Sequence, residues 1–147
     1  MSSSILLPVT GTTPAAAGTA VLGSAVTGID SFRQVVVAAH MTAPTGGDLD
    51  LVVQTQFGDS DWYDAASFPT IEPGDDPVVY AVTLSRSLSF IIPIRVGTNL
   101  SPALTDWGLS VLGVFGDNLR VIATAGAGTT AGAVTTVNFF GLFPAGL

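Results

Sequence analysis

The pattern of apolar and polar residues predicts a protein built from short β-strands. Runs rich in Val, Leu, Ile and Phe recur along the chain, and clusters of Gly, Pro, Asp and Asn separate them. No segment keeps a helical period over several turns, although residues 100–107 have room for a single turn. Evenly spaced short strands predict an all-β fold, an antiparallel β-sandwich or jelly-roll-like barrel. The predicted strands are Phe32–Thr42, Leu49–Phe57, Val78–Leu84, Leu88–Val96, Leu109–Phe115, Leu119–Thr124 and Val134–Phe140.

The first 18 residues differ from the rest of the chain. They are rich in Ser, Thr, Pro, Ala and Gly, carry no charged side chain and show no sustained period. This composition is typical of an arm that becomes ordered on a partner. We therefore predict an extended N-terminal arm, residues 1–18, followed by a single β-sandwich domain, residues 19–147.

Several predicted strands are apolar on both faces, notably 35–39 and 88–96, whereas an isolated sandwich exposes polar side chains outside. Charged residues make up 10% of the chain, against a usual share of about 25%. Lys, which often protects sheet edges from association, does not occur, and all four cations are Arg. These features predict a subunit that covers part of its surface with other proteins. An isolated barrel with few surface charges is the alternative.

The charge of the chain argues against two classes of partner. The formal net charge is −7, which repels nucleic-acid phosphates and anionic lipid headgroups. No apolar run approaches the ~18–20 residues that a membrane-spanning helix needs. The first residues include no basic side chain, and Pro8 interrupts their apolar run, which is not the pattern of a secretory signal. We expect neither a nucleic-acid partner nor a membrane partner.

The sequence offers no recognisable set of catalytic residues. His40 is the only His, the chain has no Cys and no Lys, and no Gly-x-Ser-x-Gly motif occurs. Strand alternation places His40 on the same face as Val36 and Ala38. The Gly-rich segment 126–131 precedes a predicted strand, whereas a dinucleotide site requires a helix there. The prediction is a protein that is not an enzyme, binds no cofactor and uses His40 structurally or in an interface.

A group of acidic residues follows the predicted strand 49–57. Carboxylates spaced like Asp59, Asp61 and Asp64 can bind Ca²⁺. A calcium loop starting at Asp59 would need Gly at the position of Asp64 and Glu at the position of Thr70. The sequence therefore favours a solvated acidic turn without a metal site, and a calcium site is the alternative.

Three aromatic residues, Trp62, Tyr63 and Phe68, lie close together in the sequence. On an exposed surface they would stack against sugar rings, and in a core they would bury large apolar areas. Nothing in the sequence marks a flat binding platform, so we predict positions in the core or in an interface. A carbohydrate-binding function is the alternative.

Both ends of the chain contain apolar clusters. Three of the eight Phe residues lie within the last nine residues. An exposed tail of this composition promotes aggregation, so it should form a central strand or contact a neighbouring protein. We predict that an interface includes the residues Ile5, Leu6, Leu7, Val9, Phe139, Phe140 and Phe143.

Two segments resemble parts of small β-sandwich proteins from the heads and tails of tailed bacteriophages. Gly58-Asp-Ser-Asp-Trp-Tyr-Asp-Ala-Ala-Ser-Phe68 is similar to a turn and strand in those proteins, where a Gly-Asp turn precedes Trp-Tyr-Asp. Gly116-Asp-Asn-Leu-Arg-Val-Ile-Ala-Thr124 looks like the start of their closing hairpin, with a Gly/Thr loop and a last strand after it. The likeness extends from Gly28 to Phe143.

The resemblance implies a capsid decoration, or cement, protein. Such proteins bind the outer surface of the head, often as homotrimers, and hold neighbouring major capsid subunits together. The expected partners are the major capsid protein and further copies of this chain, and the expected location is the virion, after synthesis in the host cytoplasm. The alternatives are a tail, neck or capsid-fibre subunit and a carbohydrate-binding β-sandwich module.

Overall fold

A computed structural model describes residues 6–85, 110–111 and 115–144, and in these residues the chain is all β. A three-residue 3-10 helix, Ile29–Ser31, leads into the third strand. The described residues include no helix with the length and apolar character needed to cross a membrane. The strands are β1 (Leu6–Thr12), β2 (Gly18–Val26), β3 (Phe32–Met41), β4 (Leu49–Gln56), β5 (Trp62–Ser67), β6 (Val78–Ser85), β7 (Ser110–Val111), β8 (Asn118–Ala125) and β9 (Val134–Pro144).

The strands form two antiparallel sheets, which confirms the predicted β-sandwich. The four-stranded sheet has the order β1-β9-β3-β6, and the five-stranded sheet has the order β2-β8-β4-β5-β7. Every strand of the four-stranded sheet is next in the chain to a strand of the five-stranded sheet, so the chain passes repeatedly between the sheets. Side chains from both sheets form one core.

The strand pairing follows the plan of one long hairpin that is folded over. β4 pairs with β5, and outside this central hairpin β3 pairs with β6, β2 with β8 and β1 with β9. Folding the hairpin over places β9 beside β3 and β8 beside β4. This order is that of a jelly roll. The short strand β7 extends the five-stranded sheet beyond β5.

Strand alternation directs one face of each strand into the core between the sheets. Along β3, Val35, Val37, Ala39 and Met41 are fully buried, whereas the intervening residues are partly or fully exposed. Each such Val or Met side chain gains about 1.5–3 kcal/mol from leaving water. The five-stranded sheet contributes Leu49, Leu51, Val53, Leu119, Val121 and Ala123 to the same core.

The first described strand belongs to the sandwich although the sequence placed it in a separate arm. Residues 6–12 are extended, but they pair with β9 of the same chain, from Leu6 opposite Phe140 to Thr12 opposite Val134. Val9 is 5% exposed and packs in the core. The position of β1 at the sheet edge explains why Pro8 is tolerated there, since an edge strand does not need every N–H for pairing. The sandwich therefore begins before residue 19.

Two further strands lie outside the long apolar runs that guided the prediction. β2 consists mainly of small residues, and Leu22 is its only fully buried side chain. β5 contains Ala65, Ala66 and Ser67, and a strand at this place was implied only by the resemblance. The predicted strand 88–96 and the considered helical turn at 100–107 lie outside the described residues.

Glycine-rich loops pack against each other at the end of the sandwich where β4 begins. The Thr45 amide donates to the Ala131 carbonyl and the Thr130 amide donates to the Thr45 carbonyl, both at 2.8 Å. Gly46 and Gly128 have φ values of 85° and 88°, and a side chain on Gly46 would collide with the Gly128 carbonyl. The glycines of segment 126–131 therefore serve contact between two loop backbones.

Candidate interaction surface

The outer face of the four-stranded sheet carries no charged side chain in the described part of the chain. Arg33, the second residue of β3, is the only charged residue in the four strands, and it lies outside this face. Twelve of the outward residues of these strands form what we call the neutral face: Thr10, Thr12, Val36, Ala38, His40, Val79, Ala81, Thr83, Val134, Thr136, Asn138 and Phe140.

Strand register arranges the middle of the neutral face in regular rows. Residues directly opposite each other on neighbouring strands have Cβ atoms about 4.5–5.5 Å apart, so each row is a continuous surface. The three rows across β9, β3 and β6 are Phe140–Val36–Thr83, Asn138–Ala38–Ala81 and Thr136–His40–Val79.

Two valines on the neutral face are unusually open to solvent. Val79 is 64% exposed and Val134 is 61% exposed, more than any other large apolar side chain in the described residues. His40, on β3 between Thr136 and Val79, is the only titratable group of the face and is exposed, on the same side as Val36 and Ala38 as alternation predicts. A face with this composition can lose water to a partner without burying a permanent charge.

The residues predicted to form an interface are divided between the core and the surface. Val9 and Phe139 are buried in the core, so the prediction that they contact a partner is corrected. The reason is alternation in β9, which sends Phe139 inward and Phe140 outward onto the neutral face. Leu6, Leu7 and Phe143 lie in β1 and β9, and Ile5 lies outside the described residues.

The outer face of the five-stranded sheet contains a polar ladder across β5, β4 and β8. Asp64, Gln54 and Arg120 lie opposite one another in register. Gln54 Nε2 donates to Asp64 Oδ1 at 2.9 Å, and Arg120 Nε donates to Gln54 Oε1 at 2.9 Å. Gln54 and Asp64 are almost completely buried, so these hydrogen bonds replace the water that the Gln54 amide and Asp64 Oδ1 lose. No local pattern predicts the ladder, because Arg120 is 66 residues from Gln54 in the sequence and a register shift decides which residue of β5 lies opposite Gln54.

Replacing Gln54 by leucine should lower the free energy of unfolding by about 2 kcal/mol. The substitution keeps the side-chain size but removes the acceptor of Arg120 Nε and the donor to Asp64 Oδ1. Urea unfolding followed by circular dichroism measures the loss. The matched control is Gln56→Leu, since Gln56 is only half-buried and bonds to the neutral groups of Ser60 and Asn118. Equal losses in the two variants would contradict the importance of the ladder.

The acidic residues considered for calcium are not gathered in one place. Asp59 and Asp61 are exposed in the turn after β4, whereas Asp64 is buried in β5 and bonded to Gln54. Asp117 closes the same turn, because its Oδ2 accepts a hydrogen bond from the Gly58 amide at 2.8 Å. The described residues include no group of three His, Asp or Glu side chains that could hold a metal ion.

The aromatic cluster is only partly available to a ligand. Phe68 is buried and stacks on Tyr80 with ring centroids 6.3 Å apart. Tyr63 packs edge to face against Phe57 at 6.2 Å. Trp62 is half-buried, and the guanidinium carbon of Arg120 lies 4.4 Å from its ring centroid. One face of the indole is thus occupied by a cation, which leaves less of Trp62 for stacking on a sugar.

Comparisons of the sequence with family models and curated proteins, and of the fold with solved structures, gave no match. A function for this chain must therefore be argued from its own residues, since a jelly roll by itself is compatible with several functions.

Proposed function

We propose that the chain is a structural protein of a tailed-bacteriophage virion, and that it decorates the head by docking its neutral face on the major capsid protein. The observation that carries this proposal is the neutral face itself. An acidic chain with a net charge of −7 keeps one whole sheet face free of charge in its described residues and exposes Val79 and Val134 there. Exposed apolar surface of this kind is typical of a binding site.

The jelly-roll order and the charge distribution support the same proposal. Jelly rolls are common in viral capsid domains, although lectins share them. The charged residues of the described strands are few, and most acids lie in loops such as 59–61 and 72–76. Negative loops turned outward and a neutral face turned to the capsid suit a position outside the packaged DNA. The mechanism needs no chemistry, because buried apolar area gives about 25 cal/mol per Å².

A decoration protein acts through many weak contacts at once. We propose that copies associate with one another, with a trimer favoured because three-fold rings are closed assemblies. Linked contacts raise the effective concentration of each further contact, so the assembly binds more tightly than a single copy. Neighbouring capsid subunits held by one such assembly would separate less easily under internal pressure.

The location in the particle is the direct test of this function. Quantitative mass spectrometry of purified virions that encode the chain should find a copy number comparable to that of the major capsid protein. Immunogold labelling should mark the head surface. A few copies at one end of the particle would instead indicate a tail or neck subunit. If purified particles lack the chain, the proposal is wrong.

Replacing Val79 by glutamate should weaken binding to undecorated heads at least about tenfold, because burial of an unpaired carboxylate costs more than ~1.4 kcal/mol. The measurement is cosedimentation of purified protein with heads. The matched control is Val21→Glu, since Val21 is an exposed strand valine, 44% exposed, on the other sheet. Both variants should keep the wild-type melting temperature. Equal binding by both variants would show that the neutral face is not the docking surface.

A further inference from the structure

The guanidinium of Arg120 is held in place from two directions. Its Nε donates to the buried side chain of Gln54 at 2.9 Å, and its Cζ lies 4.4 Å from the centroid of the Trp62 ring. Gln54 is itself fixed by its hydrogen bond to Asp64. A guanidinium fixed in this way loses little further freedom when it binds a ligand, which favours binding.

The two terminal nitrogens of Arg120 have no hydrogen-bond acceptor among the described residues, and no described carboxylate lies within ion-pair distance. Asp59 and Asp61 are exposed in the turn after β4, and neither forms a hydrogen bond or an ion pair with Arg120. Partial burial lowers the pKa of Arg120 below its usual value through loss of water, although the group stays protonated. A planar guanidinium with two free nitrogens matches a carboxylate in a bidentate contact.

We propose that Arg120 binds a carboxylate from the acidic turn 72–76 of a second copy of this chain. That turn, Glu72-Pro-Gly-Asp-Asp76, is exposed throughout. Its shape is set by two hydrogen bonds, from the Asp75 amide to the Glu72 carbonyl and from the Glu72 amide to Asp75 Oδ2. The carboxylates of Glu72 and Asp76 accept no hydrogen bond from a described residue, so both are available to a partner.

The turn and the arginine of one copy lie at opposite ends of the sandwich. Ile71, next to the turn, bridges to Leu49 at the start of β4, whereas Arg120 lies opposite Gln54. Leu49 and Gln54 are five residues apart, which is about 17 Å along an extended strand. A contact between the arginine and the turn therefore joins different copies head to tail. Such contacts close into a ring when the rotation between copies allows it.

Charge complementarity selects a second copy as the partner. The chain has 11 acidic residues and 4 arginines. Acidic groups are therefore abundant, whereas Arg120 is a fixed cation without an ion-pair partner among the described residues. The contact lies on the five-stranded sheet, away from the neutral face. The proposed contact between copies does not depend on the proposed virion function. Either proposal can be wrong without affecting the other.

A double-mutant cycle on the full chain tests the contact. Sedimentation equilibrium at low ionic strength compares wild type, Arg120→Gln, the pair Glu72→Gln with Asp76→Asn, and all three changes together. Wild type should self-associate, and both Arg120→Gln and the turn pair should weaken association about tenfold, as expected for a charged hydrogen-bonded pair. The triple variant should be no weaker than Arg120→Gln, because contacting residues are not additive. High salt should weaken the self-association of the wild type, because it screens the attraction between Arg120 and the carboxylates.

The controls use groups of the same type elsewhere on the molecule. Arg33→Gln on the four-stranded sheet and Asp59→Asn with Asp61→Asn in another turn should associate like wild type. If Arg120→Gln does not fold, Arg120→Lys is the second variant. Lysine keeps the positive charge but lacks the planar guanidinium, so this variant should associate more weakly than wild type. Wild type that stays monomeric at low salt, or losses that add in the triple variant, would overturn the proposal. A monomer whose tryptophan fluorescence responds to free glucuronate would overturn it in favour of an acidic sugar.

Discussion

Replacing Gly132 by alanine should lower the free energy of unfolding by about 3 kcal/mol. A methyl group on Gly132 would overlap the carbonyl oxygen of Thr13 and lie 3.0 Å from its carbonyl carbon. Thr13 cannot move away easily, because its amide donates to the Ala133 carbonyl at 2.9 Å and its Oγ1 accepts from the Ala133 amide at 2.8 Å. Relief of the overlap would therefore disrupt the junction that joins the end of β1 to the start of β9.

Urea unfolding of Gly132→Ala and of a second glycine variant separates crowding from backbone strain. Gly132 is not among the glycines with positive φ, so only the close contact requires glycine there. At Gly74 the reverse holds, since its φ is 88° and no atom lies within 4 Å of the place that a Cβ would take. Gly74→Ala should cost about 1 kcal/mol through strain alone. If Gly132→Ala costs no more than this, β1 does not pack against the loop before β9 as described.

Replacing Phe139 by alanine should cost about 4 kcal/mol of stability, since the side chain is fully buried between the sheets and its removal leaves a cavity. Thermal unfolding and urea unfolding both measure this loss. The prediction also distinguishes a core position of Phe139 from a position in a subunit interface. Truncation of a residue that contacts only a partner would leave the stability of the isolated chain unchanged.

The neighbouring residue is the natural control for Phe139→Ala. Phe140 lies on the neutral face, opposite Val36 and Leu6, and is only half-buried. Phe140→Ala should lower stability by roughly 1 kcal/mol, because the ring already contacts water on one side. Similar losses for both variants would mean that β9 does not present alternate side chains to the core and to the surface.

Alternation within single strands could be predicted from the sequence. The pattern around Val35, Val37 and Ala39 placed these residues on one face and His40 with Val36 and Ala38 on the other, and the structure agrees. The reason is that successive side chains of an extended backbone point to opposite sides whatever the neighbouring strands are. Alternation does not say which of the two faces is buried, because that depends on the side on which the second sheet packs.

The contacts between distant strands could not be predicted in the same way. Val9 and Phe139 were expected at an interface because both ends of the chain are apolar, but the pairing of β1 with β9 brings Val9 opposite Val137 and places both ends in one sandwich. The ladder of Asp64, Gln54 and Arg120 has the same origin. The register shift between Val53 and Gln54 sets which residue of β5 lies opposite Gln54, and no local pattern announces that shift.

Amino-acid composition and the spacing of apolar residues were enough to establish that this protein is all β, which side chains share a face within one strand and how few charges are available for its surface. Each of these properties depends on the local geometry of the backbone or on composition. Three further properties follow only from the folded structure: the jelly-roll order of the strands, the place of the N-terminal segment as the edge strand of one sheet, and the gathering of charge-free residues from four strands on one face. These outcomes depend on register between strands far apart in the chain, which is fixed jointly by hydrogen bonding and packing.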